Sequence, residues 1–252
     1  MRFDLFEMNK IKSNVRKRSS KWSKYKILKG MKKLAPFLPA TKRLTSRGLW
    51  HFIEKYGTLM LKPCIGHSGY GIIQVSLLEE DRYVIQAENR KIILDGKQAV
   101  YDQIEEMTRN RSYIMQQCIP LAQLEKRPFD LRVVVKRNNR CAPYRVTGMF
   151  AKVAEEGYMV TNVSSQIILV KTAIEYSNIE PVSTPYLIKK VRRVCLLAAK
   201  HLGFHYPLQN IIGFDIGLDG NAHVWIIEAN FEPSMKPFGL LKERAKLYDP
   251  FS

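Results

Sequence analysis

Asp215, Glu228 and Asn230 are the residues whose types and spacing point most directly to chemistry. They lie in Gly213-Phe214-Asp215-Ile216 and Trp225-Ile226-Ile227-Glu228-Ala229-Asn230, two apolar runs separated by the turn-forming Asp219-Gly220-Asn221. The pattern predicts a hairpin. Residues two apart in a strand share a face, so Glu228 and Asn230 project together, and Asp215 can face them from the partner strand. Three oxygen-bearing side chains with no His or Cys beside them suit a hard cation, Mg2+ above all. Mg2+ held by a few carboxylates usually takes phosphate oxygens as further ligands, so a phosphate-binding element is expected upstream.

Such an element is present. Lys62 ends an apolar run and is followed by Pro63-Cys64-Ile65-Gly66-His67-Ser68-Gly69-Tyr70-Gly71. Glycines let backbone N–H groups turn toward a phosphate and approach it closely, and the lysine adds a positive charge beside them. The run is not a P-loop, and taken alone it also fits a plain glycine turn between two strands. Tyr113-Ile114-Met115-Gln116-Gln117-Cys118-Ile119 reads as a strand running into an extended linker before Pro120. Its backbone could pair with an adenine edge, or it could be an ordinary connection. Asp130 and Arg132 share one face of the strand Asp130-Leu131-Arg132 and fit either a functional edge or an ion pair. Lys152 could balance phosphate charge. Asn162 sits on the next expected strand, and both residues also fit a solvated surface.

The chain has 252 residues, with 46% hydrophobic and 25% charged residues, enough for one large domain or two small ones. No apolar run approaches the ~20 residues of a membrane span, and the first ten residues lack a signal-peptide core. The charge of +18 is uneven: residues 1–50 hold 15 Lys/Arg against 2 Asp/Glu, leaving the body near neutral. Trp22, Tyr25, Leu28 and Met31 give this arm an apolar stripe at helical spacing, ended by Pro36 and Pro39. A solvated arm, or one that meets nucleic acid or an anionic membrane surface, fits such a segment. Cys64, Cys118, Cys141 and Cys195 lack metal-ligand or disulfide spacing and read as small buried hydrophobes in a reducing cytosol.

The elements that must position these residues follow from periodicity. An amphipathic helix is expected over 45–56, with Leu49, Phe52, Ile53 and Tyr56 inward and Gly57 as its stop. Strands are expected over 58–62, 72–75, 83–86, 91–94, 112–117, 130–136, 146–153 and 158–162, with helices over 100–107 and 185–202.

The order of these pieces resembles the ATP-grasp superfamily of glutathione synthetase-like carboxylate–amine ligases. The runs LKPCIGHSGYGI, PFDLRVVV, VTGMFAKVAEEGYMVTN and IGFDIGLDGNAHVWIIEANFEPS resemble the YheC/YheD family of endospore coat-associated proteins more closely. Pro39-Ala40-Thr41 matches the P-x-T lead-in to the first ATP-grasp helix. The resemblance spans about residues 36–240 and implies an α+β ATP-grasp fold of two α/β subdomains with the nucleotide held between their sheets. The implied organisation is a basic arm over 1–35, a small subdomain with the glycine loop over 36–115 and a large subdomain with the Mg2+ site over 116–252.

Residue by residue, the resemblance implies that Lys62 touches the α/β-phosphates of ATP. Gly66, His67, Ser68, Gly69 and Gly71 fold over the β/γ-phosphates. Gln116, Gln117, Cys118 and Ile119 hold adenine, and Asp130 belongs to the nucleotide site. Arg132 and Lys152 neutralise the transferred phosphate, and Asp215, Glu228, Asn230 and Asn162 serve Mg2+. Ser164-Ser165-Gln166 stands where relatives form a glycine-bearing substrate loop. The implied reaction joins a carboxylate to an amine through an acyl-phosphate, with both substrates unspecified. A partner protein would supply the domain that usually precedes the first ATP-grasp helix, or the substrate is itself large, such as a peptide or polymer. An anionic partner is expected for the arm. The location implied is cytoplasmic and spore-associated. The alternative is an ATP-binding scaffold of spore assembly without ligation.

Overall fold

The computed structural model describes residues 19–66, 69–88, 90–155 and 164–239. They divide into two compact units, 19–26 with 39–118 and 27–38 with 119–239. Among them no helix is long and apolar enough to cross a membrane.

The first unit is built on β1 (Thr41–Arg43), β2 (Thr58–Pro63), β3 (Ile73–Glu79), β4 (Arg82–Ala87), β5 (Arg90–Asp95) and β6 (Tyr113–Gln117). They form one antiparallel sheet in the order β1-β6-β2-β3-β4-β5. Alternate residues Leu59, Leu61, Ile73, Val75, Tyr83, Ile85, Tyr113 and Met115 form a buried cluster with two helices. Helix α2 (Ser46–Tyr56) contributes Leu49, Phe52 and Ile53, and α3 (Lys97–Thr108) contributes Val100 and Ile104. Thr45 caps α2 by accepting from Gly48 N at 3.1 Å, and Gly57 ends it at φ 67°. The sheet's opposite face carries Met60 between Gln74 and Gln116 in register, with Lys62 next along β2. Preceding this sheet, α1 (Lys21–Gly30) turns Lys24 and Leu28 inward, at 7% and 3% exposure. Of the expected stripe, Leu28 is buried and Trp22, Tyr25 and Met31 are half-buried; Lys24 joins them because a lysine stem packs against apolar surface.

The second unit orders β10 (Ser164–Ile168), β9 (Arg145–Ala154), β8 (Arg127–Lys136), β11 (Ile211–Leu218) and β12 (Val224–Asn230) into an antiparallel sheet, with β7 (Gln123–Leu124) paired to β8. The short helix α4 (Val170–Glu175) and the long α5 (Thr184–His205) complete it. Leu187, Val191, Val194, Cys195, Ala198 and Leu202 give α5 the apolar side its spacing predicts. One sheet face carries Phe129, Leu131, Val133, Ile212, Phe214 and Ile216, all buried. The other face carries the chemistry. Residues 164–166, expected in a substrate loop, instead open β10, which pairs with β9 through a register shift. The strand expected over 158–162 lies outside the described residues.

Candidate functional site

The polar face of the second sheet is ordered in rows by its register. Phe150, Arg132, Asp215 and Glu228 stand side by side across β9, β8, β11 and β12. The neighbouring row sets Lys152 beside Asp130 and Gly217. On the other side run Gly148, Val134, Gly213 and Asn230. A bulge in β12 places Asp215 opposite Glu228 and the following Ile216 opposite Ile226, leaving Ile227 as the extra residue.

Asp215 is the hub. Arg132 Nε donates to its Oδ1 at 2.9 Å, and Arg132 Nη2 lies 2.9 Å from the same oxygen. Lys152 Nζ reaches Oδ1 at 3.3 Å and Asp130 Oδ1 at 3.0 Å. Asn230 Nδ2 donates to Asp215 Oδ2 at 2.9 Å. Burial opposes ionisation of Asp215, but the Lys152 ammonium and Arg132 guanidinium outweigh it and hold the carboxyl below the usual carboxylate range. Burial likewise opposes charge on Lys152. The carboxylates of Asp130 and Asp215 outweigh both that and Arg132, holding the ammonium above the usual lysine range. Two carboxylates thus balance two cations, and Glu228 adds a further negative charge beside them.

Two glycines open this face to the segment after β12. A Cβ on Gly213 would stand 2.5 Å from Pro233 Cβ, and one on Gly148 would stand 2.4 Å from Phe238 Cε1. Phe238 meets Phe150 edge to face with ring centroids 4.8 Å apart. The chain beyond Asn230 therefore folds back over the row next to Arg132 and Asp215.

The first unit holds a second polar group. Lys62, 7% exposed, donates from Nζ to Gln116 Oε1 at 2.6 Å, and Gln116 Nε2 donates to Thr41 Oγ1 at 3.1 Å. Thr41 in turn donates to Pro39 O at 3.0 Å. Burial pushes the Cys118 thiol up against the opposing field of Lys62, which puts the ammonium close to the linker. The adjoining loop uses positive φ at Gly69 (75°) and Gly71 (74°), and a Cβ on Gly71 would lie 3.0 Å from Tyr113 Oη.

The expected residues thus gather in two groups. Asp130, Arg132, Lys152, Asp215, Glu228 and Asn230 share one face of the second unit, while Lys62, Gln116 and Cys118 come together in the first. Gln116 and Gln117, expected at adenine, have their side chains engaged within the sheet: Gln117 Oε1 accepts from Ala40 N at 3.3 Å. Ile119 O accepts from Leu121 N. His67, Ser68 and Asn162 lie outside the described residues. Sequence reading missed the partnership of Thr41 with Gln116, and the return of Pro233 and Phe238. A polar residue at alternating position on a buried sheet is the available signal for the first; the glycines at 148 and 213 are the signal for the second.

A family model described as YheC/D like ATP-grasp matches residues 11–249. The chain belongs to this family. Among curated proteins, this YheC/D-like chain is 27% identical over 225 residues to endospore coat-associated protein YheD of Bacillus subtilis strain 168, covering 87% of this chain and 49% of that protein. It is 21% identical over 223 residues to YheC of the same organism, covering 86% of this chain and 60% of that protein. The chain therefore spans about half to three-fifths of the length of these relatives. The ATP-grasp fold is shared with N5-carboxyaminoimidazole synthase from Aspergillus clavatus in complex with ADP and 5-aminoimidazole ribonucleotide. That match has TM-score 0.53 and 12% identity, covering 92% of this chain and 52% of the other. The purK N5-carboxyaminoimidazole ribonucleotide synthetase, as its ADP complex, matches with TM-score 0.52 and 14% identity, covering 86% of this chain and 45% of the other. At these identities the likeness concerns the fold of this YheC/D-like chain alone.

The residues present fit Mg2+ by the chemistry of the donor set. Asp215 and Glu228 are opposed hard-oxygen donors, Asp215 is held ionised, and Asn230 offers an amide oxygen once its nitrogen is spent on Asp215. Among the described residues no group of three or more His, Cys, Asp or Glu gathers.

Proposed function

We propose that this chain is an ATP- and Mg2+-dependent carboxylate–amine ligase acting through an acyl-phosphate. The observation that carries the reading is the charge-balanced Asp130–Arg132–Asp215–Lys152 cluster with Glu228 and Asn230 beside it, on a chain of the ATP-grasp family. In this reading Asp215, Glu228 and Asn230 would hold Mg2+, which when bound neutralises phosphate charge and fixes phosphate oxygens. Lys62 would meet the α/β-phosphates, and the backbone around Gly69 and Gly71 the β/γ-phosphates. Cys118 and Ile119 would meet adenine through their backbone, while Gln116 orients Lys62.

A substrate carboxylate oxygen attacks the γ-phosphorus, the bond to the bridging oxygen breaks, and ADP leaves with that electron pair. An amine then attacks the acyl carbon, releases a proton and expels phosphate to leave an amide. Arg132 and Lys152 stabilise the charge that develops in both steps, because both are fixed before substrate arrives and sit where water is sparse. No side-chain nucleophile is required. The carboxylate is assigned to a peptide or a spore-coat component, in a cytoplasmic, spore-forming setting, and the basic N-terminal segment to an anionic partner.

The test is thermal stability with ATP, with and without Mg2+, for wild type, Lys62→Ala and Glu228→Gln, reading the ligand-induced increment rather than the absolute midpoint. A Mg2+-dependent rise of several degrees in wild type, lost in both variants, supports the site. No rise at several millimolar ATP refutes it. The names of the curated relatives favour one second reading, an ATP-binding component of spore coat assembly without ligation. It predicts Mg2+-dependent ATP binding with no ADP release in any mixture of carboxylates and amines.

A further inference from the structure

The first two turns of α1 reach the polar group and the glycine loop in the first unit. Lys21 and Tyr25 are one turn apart and leave the same face of the helix. Lys21 holds the glycine loop twice: its backbone N–H donates to Cys64 O at 2.9 Å, and its Nζ donates to Gly66 O at 2.9 Å. Its charge, with that of Arg43, also reaches the Cys64 thiol. Tyr25 lies beside Thr41, whose backbone and hydroxyl oppose the upward push of burial on its phenol. Thr41 receives Gln116 Nε2, and Gln116 Oε1 receives Lys62 Nζ. Lys24 on the same helix is buried, and Trp22 stacks on Tyr25 with centroids 5.8 Å apart. A polar chain thus runs from Tyr25 through Thr41 and Gln116 to Lys62, and a parallel one from Lys21 to the loop.

We propose that Lys21 and Tyr25 are positioning residues for the nucleotide phosphates. Lys21 sets the backbone of the glycine loop, and Tyr25 sets the Lys62 ammonium through Thr41 and Gln116. The inference rests on the reading of this unit as an ATP-phosphate site. It gives the start of the lysine-rich helix a role inside the site rather than as a separate arm. Neither residue touches ATP. Each fixes a group that does, so that the geometry is set before the phosphates arrive.

The test uses the full chain and the variants Lys21→Met, Lys21→Arg and Tyr25→Phe, titrated calorimetrically with ATP in Mg2+ and with adenosine. Affinity for ATP is expected to fall roughly three- to tenfold in Lys21→Met and in Tyr25→Phe, the scale of one hydrogen bond. Adenosine affinity should be unchanged, and Lys21→Arg should restore ATP binding. In a Gln116→Leu background, Tyr25→Phe should have no further effect. Without nucleotide, amide exchange at residues 64–66 should quicken in Lys21→Met while β8 and β11 stay as protected as in wild type. Equal ATP affinity in wild type, Lys21→Met and Tyr25→Phe overturns the inference and leaves the ATP site intact. A proportionate loss of ATP and adenosine affinity, with faster exchange throughout, overturns it in favour of a general structural role. A wild type that binds no ATP removes the underlying reading, and the inference with it.

Discussion

Replacing Asp215 by Asn changes one oxygen to nitrogen and removes the carboxylate that Arg132 and Lys152 both contact. The Arg132, Lys152 and Asp215 side chains are 17%, 15% and 12% exposed, so water screens them little. The variant leaves Arg132 and Lys152 with Asp130 as the remaining carboxylate within reach of Lys152. Breaking a buried pair by removing one partner costs about 3–5 kcal/mol, and Asp130 offsets part of that, so about 3 kcal/mol is expected. For a chain of this size that is a fall of roughly 6–12 °C in Tm. The second variant decides the cause. Adding Arg132→Met removes a cation and leaves the Lys152–Asp130 pair in place, so Asp215→Asn/Arg132→Met should recover at least half of the loss. Both Tm values are read by calorimetry at pH 7 without nucleotide. A single variant within 1 °C of wild type, or a double variant lower than the sum of its parts, would falsify the charge-balance account.

Gly148→Ala sets a methyl 2.4 Å from Phe238 Cε1 and should destabilise by about 1–3 kcal/mol, as overpacking does; in a Phe238→Ala background the chemical-denaturation midpoint should no longer respond to it. Asp219→Ala removes the acceptor of Asn221 N, His223 N and Trp225 Nε1, at 3.1, 2.9 and 2.8 Å. A loss of about 1–3 kcal/mol is expected, with a shift in tryptophan fluorescence; an unchanged midpoint would deny the turn its role. Burial pushes the Cys195 thiol well up, so its thiolate is scarce and unreachable in the folded chain, while Cys141 is exposed. Labelling of the folded chain should therefore proceed at the exposed Cys141 while Cys195 reacts only on unfolding, and equal rates by mass spectrometry would contradict that assignment.

The parts of the fold legible in the sequence were those coded by local period. The apolar side of α5, the Thr45–Gly57 bounds of α2 and the shared face of Glu228 and Asn230 all follow from spacing, and the structure bears them out. Residues 164–168 were unreadable as a strand, because Ser-Ser-Gln carries no apolar alternation and its pairing partner is supplied by β9. Gln116 is expected at adenine, and its bonds to Lys62 and Thr41 carry no local signal because those partners lie 54 and 75 residues away. The burial of Lys24 on α1 carries no signal because lysine counts as polar in any pattern, though its stem packs like an aliphatic chain. Pro233 and Phe238 carried no signal of their own; the glycines that receive them stand in other strands.

The bulge in β12 has a consequence for how this strand can change length over evolution. Between Ile226 and Glu228 it carries one residue more than its partner β11. Loss of a single residue there can be absorbed by flattening the bulge, with Glu228 still opposite Asp215. Gain of one offers no such relief: it must form a second bulge or turn Glu228 and Asn230 onto the apolar face. Homologous strands should therefore shorten by one residue far more often than they lengthen, and length variation should collect instead in the turn between β11 and β12.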